Sequence, residues 1–184
     1  MSSALDRLRD LLRERAVLHG DFVLTSGQRS SYYLDARRVT LSSAAAALVG
    51  ESFLHVLEPY PIEAVAGLAI GADPIVAAIA TVAGTQGQTV DGLIVRKERK
   101  EHGAGRRIEG PWRDGMRVAI VDDTLTTGGS SLQAAQAVEE EGGQVLAVCA
   151  LIDREQGARQ AIESAGYPFI ALFSAAELLS SQSV

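Results

Sequence analysis

Apolar residues recur at helical spacing from residue 4 to 16, where Leu5, Leu8, Leu11 and Leu12 stand among Asp and Arg. That spacing predicts an amphipathic helix. The stretch from Phe22 to Asp35 reads as two short strands around a Ser26-Gly27 turn. Residues 42–57 read as a second helix, opened by Ser42 and Ser43 as caps and stopped before Pro59. From there the pattern alternates. Strands are expected over Glu63–Ile70, Val90–Val95, Arg117–Val121, Gln144–Ile152 and Pro168–Phe173. Between them fall helices capped at Asp73-Pro74 and running through about Val82, then over Ser130–Glu141 and over Glu155–Ser164. Gly142-Gly143 ends the second of these, and Pro111–Gly115 forms a turn.

Nearly continuous apolar strands separated by helices predict a parallel sheet covered on both faces. The expected fold class is therefore α/β, a doubly wound and mainly parallel sheet with a small amino-terminal addition. At 184 residues, without an internal repeat or linker, a single domain over 1–184 is expected, residues 1–40 supplying the helix and a hood segment. In such a sheet ligands bind outside the carboxyl ends of the strands. The loops after Ile70, Val95, Val121 and Ile152 are therefore where chemistry belongs.

Composition narrows the picture. A hydrophobic fraction of 47% and a charged fraction of 22% are globular values. The lone Cys149 has no internal disulfide partner, which fits a reducing compartment and, with the charged amino terminus, a cytoplasmic protein. No apolar run approaches the roughly 18 residues needed to span a bilayer. The net charge of −6 argues against a nucleic-acid binder, yet the positive charge is concentrated. Residues 96–107 hold six basic and two acidic residues, a local charge of +4, and include both lysines of the chain, Lys97 and Lys100. The remainder stands at −10. A cationic segment on an acidic body suits a small polyanion.

The stretch Val118-Ala119-Ile120-Val121-Asp122-Asp123-Thr124-Leu125-Thr126-Thr127-Gly128-Gly129-Ser130-Ser131 runs from a buried strand through two carboxylates into a hydroxyl- and glycine-rich helix start. Gly128 and Gly129 let backbone amides turn toward an anion, and the helix dipole favours negative charge there. Thr126, Thr127 and Ser130 add hydroxyl donors. Asp122 and Asp123 repel phosphate but can accept hydrogen bonds from ribose hydroxyls, or meet magnesium through water. The pattern asks for a sugar phosphate. No Gly-Lys-Ser/Thr follows the glycines, which excludes a Walker loop, and no G-x-G-x-x-G occurs. Taken without further context, the same residues could also form an ordinary strand–turn–helix crossover.

This stretch resembles the phosphoribosyl pyrophosphate (PRPP) motif of the type I phosphoribosyltransferases, α/β proteins with a small hood over the active site. The resemblance implies transfer of ribose 5-phosphate from PRPP to a nitrogen base, with a PRPP site over Asp122, Asp123, Thr124, Leu125, Thr126, Thr127, Gly128, Gly129 and Ser130. Arg96-Lys97-x-x-Lys100-x-His102-Gly103 is similar to the catalytic loop of the orotate phosphoribosyltransferases, R-K-x-x-K-x-H-G. A cluster of Arg, Lys and His suits a diphosphate leaving group whose charge grows as the C1–O bond breaks. Gly103 and Gly105 give a lid its hinge freedom. By resemblance, Lys100 and His102 are catalytic, Arg96 and Lys97 bind PRPP beside them, and the loop acts in the neighbouring subunit's site of a homodimer. On charge alone, this run could equally be a solvated loop.

The segment Phe22-x-Leu24-x-Ser26-Gly27-x-x-Ser30-x-Tyr32-Tyr33-x-Asp35 is similar to the pattern that opens the orotate enzymes, which places backbone near Tyr33 and Leu34 over the base. Read for itself it is a hairpin with aromatic packing. Gly67–Pro74 matches the family's pyrophosphate-binding loop. Two positions depart from the family: Thr25 and Gly71 stand where relatives carry Lys. Ile152-Asp153-Arg154-Glu155-Gln156-Gly157 resembles D-R-x-x-G. Orotate bears a carboxylate, which an Arg fork matches bidentately. By resemblance Arg154 and Thr126 bind orotate; read for itself Arg154 is a surface Arg near a helix start.

The expected reaction is pentosyl transfer from PRPP to orotate, giving orotidine 5′-monophosphate and pyrophosphate in pyrimidine nucleotide synthesis. Mg²⁺ is the expected cofactor, held mainly by PRPP with no direct protein ligands. Rival expectations are a purine or uracil phosphoribosyltransferase and a PRPP-sensing regulator on the same fold. His19 and His55 form no zinc pattern, Cys149 reads as a core residue, and Trp112 as a local packing residue in its turn.

Overall fold

The computed structural model describes residues 3–23, 29–98 and 107–180. Helix α1 (Ala4–Arg15) opens on a capping box in which the Ser3 hydroxyl accepts the Asp6 amide proton while the Asp6 carboxylate accepts the Ser3 amide proton, each at 3.1 Å. Its apolar stripe buries Leu8 and Leu12. Strands β1 (Val17–Val23) and β2 (Arg29–Leu34) pair antiparallel as a separate two-stranded sheet. Phe22 and Tyr33 pack across it with ring centroids 5.7 Å apart.

The rest forms α2 (Arg37–Thr40), α3 (Ala46–Leu57), β3 (Ala64–Leu68), α4 (Asp73–Thr85), β4 (Asp91–Val95), β5 (Ile108–Glu109) and β6 (Arg117–Leu125). These are followed by α5 (Gly129–Glu140), β7 (Gln144–Asp153), α6 (Ala158–Ser164), β8 (Phe169–Ser174) and α7 (Ala175–Leu179). The main sheet has the order β5-β4-β3-β6-β7-β8, parallel throughout except for the antiparallel β5 edge. Residues of α1, α3, α4 and α7 pack one face with Val65, Val121 and Leu151, while those of α5 and α6 pack the other with Ala66, Ile120 and Val148. β3 is completely buried, which is why it reads as an unbroken apolar run. After β4 the chain crosses back to place β6 beside β3, so β3 and β6 flank the switch point of the sheet.

Several ends differ from the sequence reading. β6 continues four residues beyond Val121, so Asp122, Asp123 and Thr124 are strand residues. The second helix starts at Ala46, not Ser42. Its N-cap is Ala45 without a side-chain cap bond, and Ser42 contributes its backbone carbonyl to the amides of Ala45 and Ala46. Asp73 is the first residue of α4 rather than its cap, which is Ala72, and the helix runs on to Thr85. α6 begins at Ala158 because Glu155 and Gly157 both hold positive φ, 58° and 102°. α2, β5 and α7 were too short for any periodicity to predict. Cys149 is buried, and burial pushes its thiol up to about 12, an inert core residue. Trp112 lies against Gly143, where a Cβ would come 2.5 Å from its ring. No helix of the described residues is long and apolar enough to cross a membrane.

Candidate functional site

The period of a strand decides what the paired acids do. Successive residues of β6 face opposite sides of the sheet, so Asp122 and Asp123 part company. Asp122 turns toward α5, where its carboxylate accepts the hydroxyls of Ser130 at 2.7 Å and Ser131 at 3.1 Å, together with the Asp123 amide at 3.0 Å. It is 6% exposed, and burial pushes its carboxyl up against the pull of those hydrogen bonds. Asp123 turns the other way and accepts the Thr124 amide at 2.7 Å. Burial and the neighbouring Asp122 charge push its carboxyl up to about 6, while the Arg37 guanidinium pulls it down.

Asp123 lines a cavity of about 300 Å³ with Tyr33, Leu34, Asp35, Ala36, Arg37, Gly71, Thr124 and Arg154. Its walls come from β2, the segment into α2, and the carboxyl ends of β3, β6 and β7, the place where this topology puts ligands. Two polar atoms in it are buried without hydrogen-bond partners among the described residues, the Thr124 hydroxyl and the Arg154 Nε. A buried donor left unmatched costs about 1–3 kcal/mol, a cost that a ligand in the cavity would relieve for both groups. Arg154 is fixed by its backbone, whose amide donates to the Leu125 carbonyl at 2.9 Å. A Cβ on Gly71 would lie 3.0–3.3 Å from the atoms of the Asp123 carboxylate, so an added side chain there would push that acid by a few tenths of an ångström. The preceding peptide, Ala69–Ile70, is cis, and a side chain on Gly67 would overlap Ala72 and the Val121 carbonyl.

Beside the cavity, β6 ends at Leu125 and the chain turns through Thr126, half-buried, and the exposed Thr127 into α5. Gly128 holds φ at +81° as the N-cap, with no side chain satisfying the first turn of α5. The amides of Gly129, Ser130 and Ser131 therefore lack helical partners and form an anion-binding start. Ser130 gives its hydroxyl proton to Asp122, which leaves its amide for an anion.

Arg96 and Lys97 do not line this cavity. Arg96 pairs with Glu109 at 2.9 Å, and the Arg107 guanidinium donates to the carbonyls of Arg96 and Lys97 at 3.3 and 3.2 Å, closing the base of the cationic segment. Lys100, His102 and Thr25 lie outside the described residues. Among the described residues no three His, Cys, Asp or Glu side chains form a metal-holding group. A groove of about 530 Å³ beside α3, bounded by Glu51, His55, Glu58 and Val90, lies by the amino-terminal edge of the sheet, away from these donors. Asp35 closes the segment that the sequence reading places over the base, but Ala36 and Arg37 were missed. The one available signal was the Arg37-Arg38 pair directly after the segment ending in Asp35.

The family model described as the phosphoribosyl transferase domain matches residues 43–165. An orotate phosphoribosyltransferase of Tropheryma whipplei is 44% identical over 169 residues, covering 91% of this chain and 79% of the relative. A crystal structure of the Mycobacterium tuberculosis orotate phosphoribosyltransferase with Fe(III) dicitrate superposes with a TM-score of 0.89 at 39% identity, covering 97% of this chain and 100% of that one. The structure of the M. tuberculosis enzyme in complex with PRPP gives 0.83 at 36% identity, covering 96% and 99%. Fold, strand-end turn and length of agreement point the same way, and the chain belongs to the phosphoribosyl transferase domain family and, within it, to the orotate phosphoribosyltransferases.

Proposed function

We propose that this chain transfers ribose 5-phosphate from PRPP to N1 of orotate, releasing pyrophosphate and giving orotidine 5′-monophosphate for pyrimidine nucleotide synthesis. The observation that carries the choice of base is the buried, unpartnered Arg154 Nε in a cavity whose other charged walls are Arg37 and the acids Asp35 and Asp123. A guanidinium in that position matches the orotate carboxylate. A neutral purine or uracil offers it no carboxylate for a bidentate, charge-assisted pair. Orotate and uracil, adenine or hypoxanthine are offered in turn with PRPP while pyrophosphate release is followed. Release with orotate alone is expected, and preference for a neutral base overturns the choice. For the rival PRPP sensor, pyrophosphate release would be absent.

In this reading the 5-phosphate takes the amides of Gly129, Ser130 and Ser131 with the hydroxyls of Thr126 and Thr127. Asp123 accepts a hydrogen bond from a ribose hydroxyl, and Asp122 stays on α5 as the group that orients Ser130 and Ser131. Thr124 offers its unpartnered hydroxyl to the ligand. Tyr33 and Leu34 cover the base, and Arg154 with Thr126 holds it. No covalent enzyme intermediate is needed because N1 is itself the nucleophile. The Mg²⁺ that PRPP brings would offset diphosphate charge. The Asp123 carboxylate, on the wall of the cavity, would fit such an ion through water.

The cationic segment acts in trans on this reading: in a homodimer, Lys100 and His102 meet the departing diphosphate of the neighbouring subunit, with Arg96 and Lys97 beside them. The absence of Arg96 and Lys97 from their own chain's cavity supports that arrangement. Closing the segment excludes water from the oxocarbenium-like ribosyl centre.

A further inference from the structure

The cavity has a charge problem. PRPP brings a diphosphate to a pocket whose described walls carry two carboxylates, Asp35 and Asp123, and two guanidiniums, Arg37 and Arg154. Arg154 is committed to the base. Arg96 and Lys97 do not line it, and Gly71, on the loop after β3, brings no side chain at all. That leaves Arg37 as the one described cation on the wall shared with Gly71.

Arg37 is built to exchange partners. Its backbone is fixed: it opens α2, its carbonyl accepts the Leu41 amide at 3.1 Å, and its neighbours Ala36, Val39 and Thr40 are 2% exposed or less. Its side chain is the reverse. It is 49% exposed, and its one ion pair among the described residues is a long contact of 3.5 Å from Nε to the Asp35 carboxylate. An exposed pair of that kind contributes about 0–1 kcal/mol, so leaving it costs little. The same guanidinium already acts on Asp123 across the cavity. The lack of a side chain at position 71 leaves room here: a Cβ there would crowd the Asp123 carboxylate at 3.0–3.3 Å, and Gly71, Asp123 and Arg37 line the same cavity.

We propose that Arg37 binds the diphosphate of PRPP, leaving Asp35 on loading to place its guanidinium against phosphate oxygens held over the Gly71 loop. This rests on the PRPP reading of the cavity. It makes Arg37 a ligand-binding residue in cis, distinct from the cations of residues 96–107, and supplies charge at the place where Gly71 brings none.

The test uses the full chain with Mg²⁺ and three probes in calorimetry, PRPP, pyrophosphate and ribose 5-phosphate, together with steady-state kinetics. Arg37→Ala is expected to weaken PRPP and pyrophosphate about tenfold, on the scale of one charge-assisted hydrogen bond. Ribose 5-phosphate binding and the KM for orotate should stay within about twofold. Arg37→Lys should recover part of the loss, since a point charge replaces a fork. Unchanged PRPP affinity in Arg37→Ala overturns the proposal. So does equal weakening of ribose 5-phosphate and pyrophosphate, which would mark a structural role. A wild-type chain that binds no PRPP overturns the reading of the cavity along with it, whereas wild-type binding with an inert Arg37→Ala removes Arg37 alone.

Discussion

Asp123 is held in a costly state. Its carboxyl titrates near 6 in the folded protein against 3.8 for a free aspartate, because burial and Asp122 both oppose its charge. The folded state therefore keeps this proton more readily than the unfolded chain. The contribution of this group to stability is greatest below the unfolded value and falls as pH rises from about 4 to about 6, by an amount on the order of 3 kcal/mol. Asp123→Asn abolishes that fall, while its amide oxygen still accepts the Thr124 amide. Thermal melts at pH 7.5 should show a Tm higher by at least about 2 °C. The same variant should bind PRPP more weakly, because an amide accepts a ribose hydroxyl less strongly than a carboxylate. In the wild type, kcat/KM for PRPP should drop as the pH is lowered through 6, the range in which Asp123 takes up its proton. A Tm that is lower in Asp123→Asn, or a pH profile flat from 5 to 8, would contradict this assignment.

At the scale of elements, the turn from β6 into α5 ties the fold to its chemistry. Gly128 is required there twice over: its φ of +81° excludes an ordinary side chain, and a Cβ would press on Ile162 at 3.2 Å and the Ala158 carbonyl at 3.4 Å. Gly128→Ala should cost about 1–3 kcal/mol in chemical denaturation and weaken ribose 5-phosphate binding, because it displaces the amides of the first helical turn. Normal stability with normal phosphate affinity would show that the turn tolerates a side chain and does not set the cradle. The glycines, hydroxyls and carboxylates of this turn were legible in sequence since each residue type has a local backbone reason to be there. The split roles of Asp122 and Asp123 were not. That depended on β6 running to Leu125 instead of stopping at Val121, a matter of strand pairing with β7 as far as Leu125 opposite Asp153. Ser42 misled for a related reason: α2 occupies Arg37–Thr40 and sets the entry of α3 by tertiary packing, which no cap signal records.

For the whole molecule, the proposed function depends on bringing the cationic segment of a neighbouring subunit to a cavity assembled from β2, α2 and three strand ends. Alternating apolar strands and helices made the doubly wound sheet readable, and its topology then named the edge where ligands bind. The contribution of Arg37 stayed hidden because it comes from the join between hairpin and sheet, where contact follows from folding and not from spacing. Lys100→Ala should lower kcat by about 100-fold while KM for orotate changes less than about threefold, as expected of a residue acting on charge that develops in the transition state. An effect confined to KM would contradict that role.

The most direct measurement is pyrophosphate release from PRPP and Mg²⁺ with orotate, uracil, adenine and hypoxanthine offered one at a time, repeated with Arg154→Gln. Turnover with orotate alone, and a KM for orotate raised about tenfold or more in Arg154→Gln, is the predicted result. Comparable turnover of a neutral base, or an orotate KM indifferent to Arg154, would contradict the account.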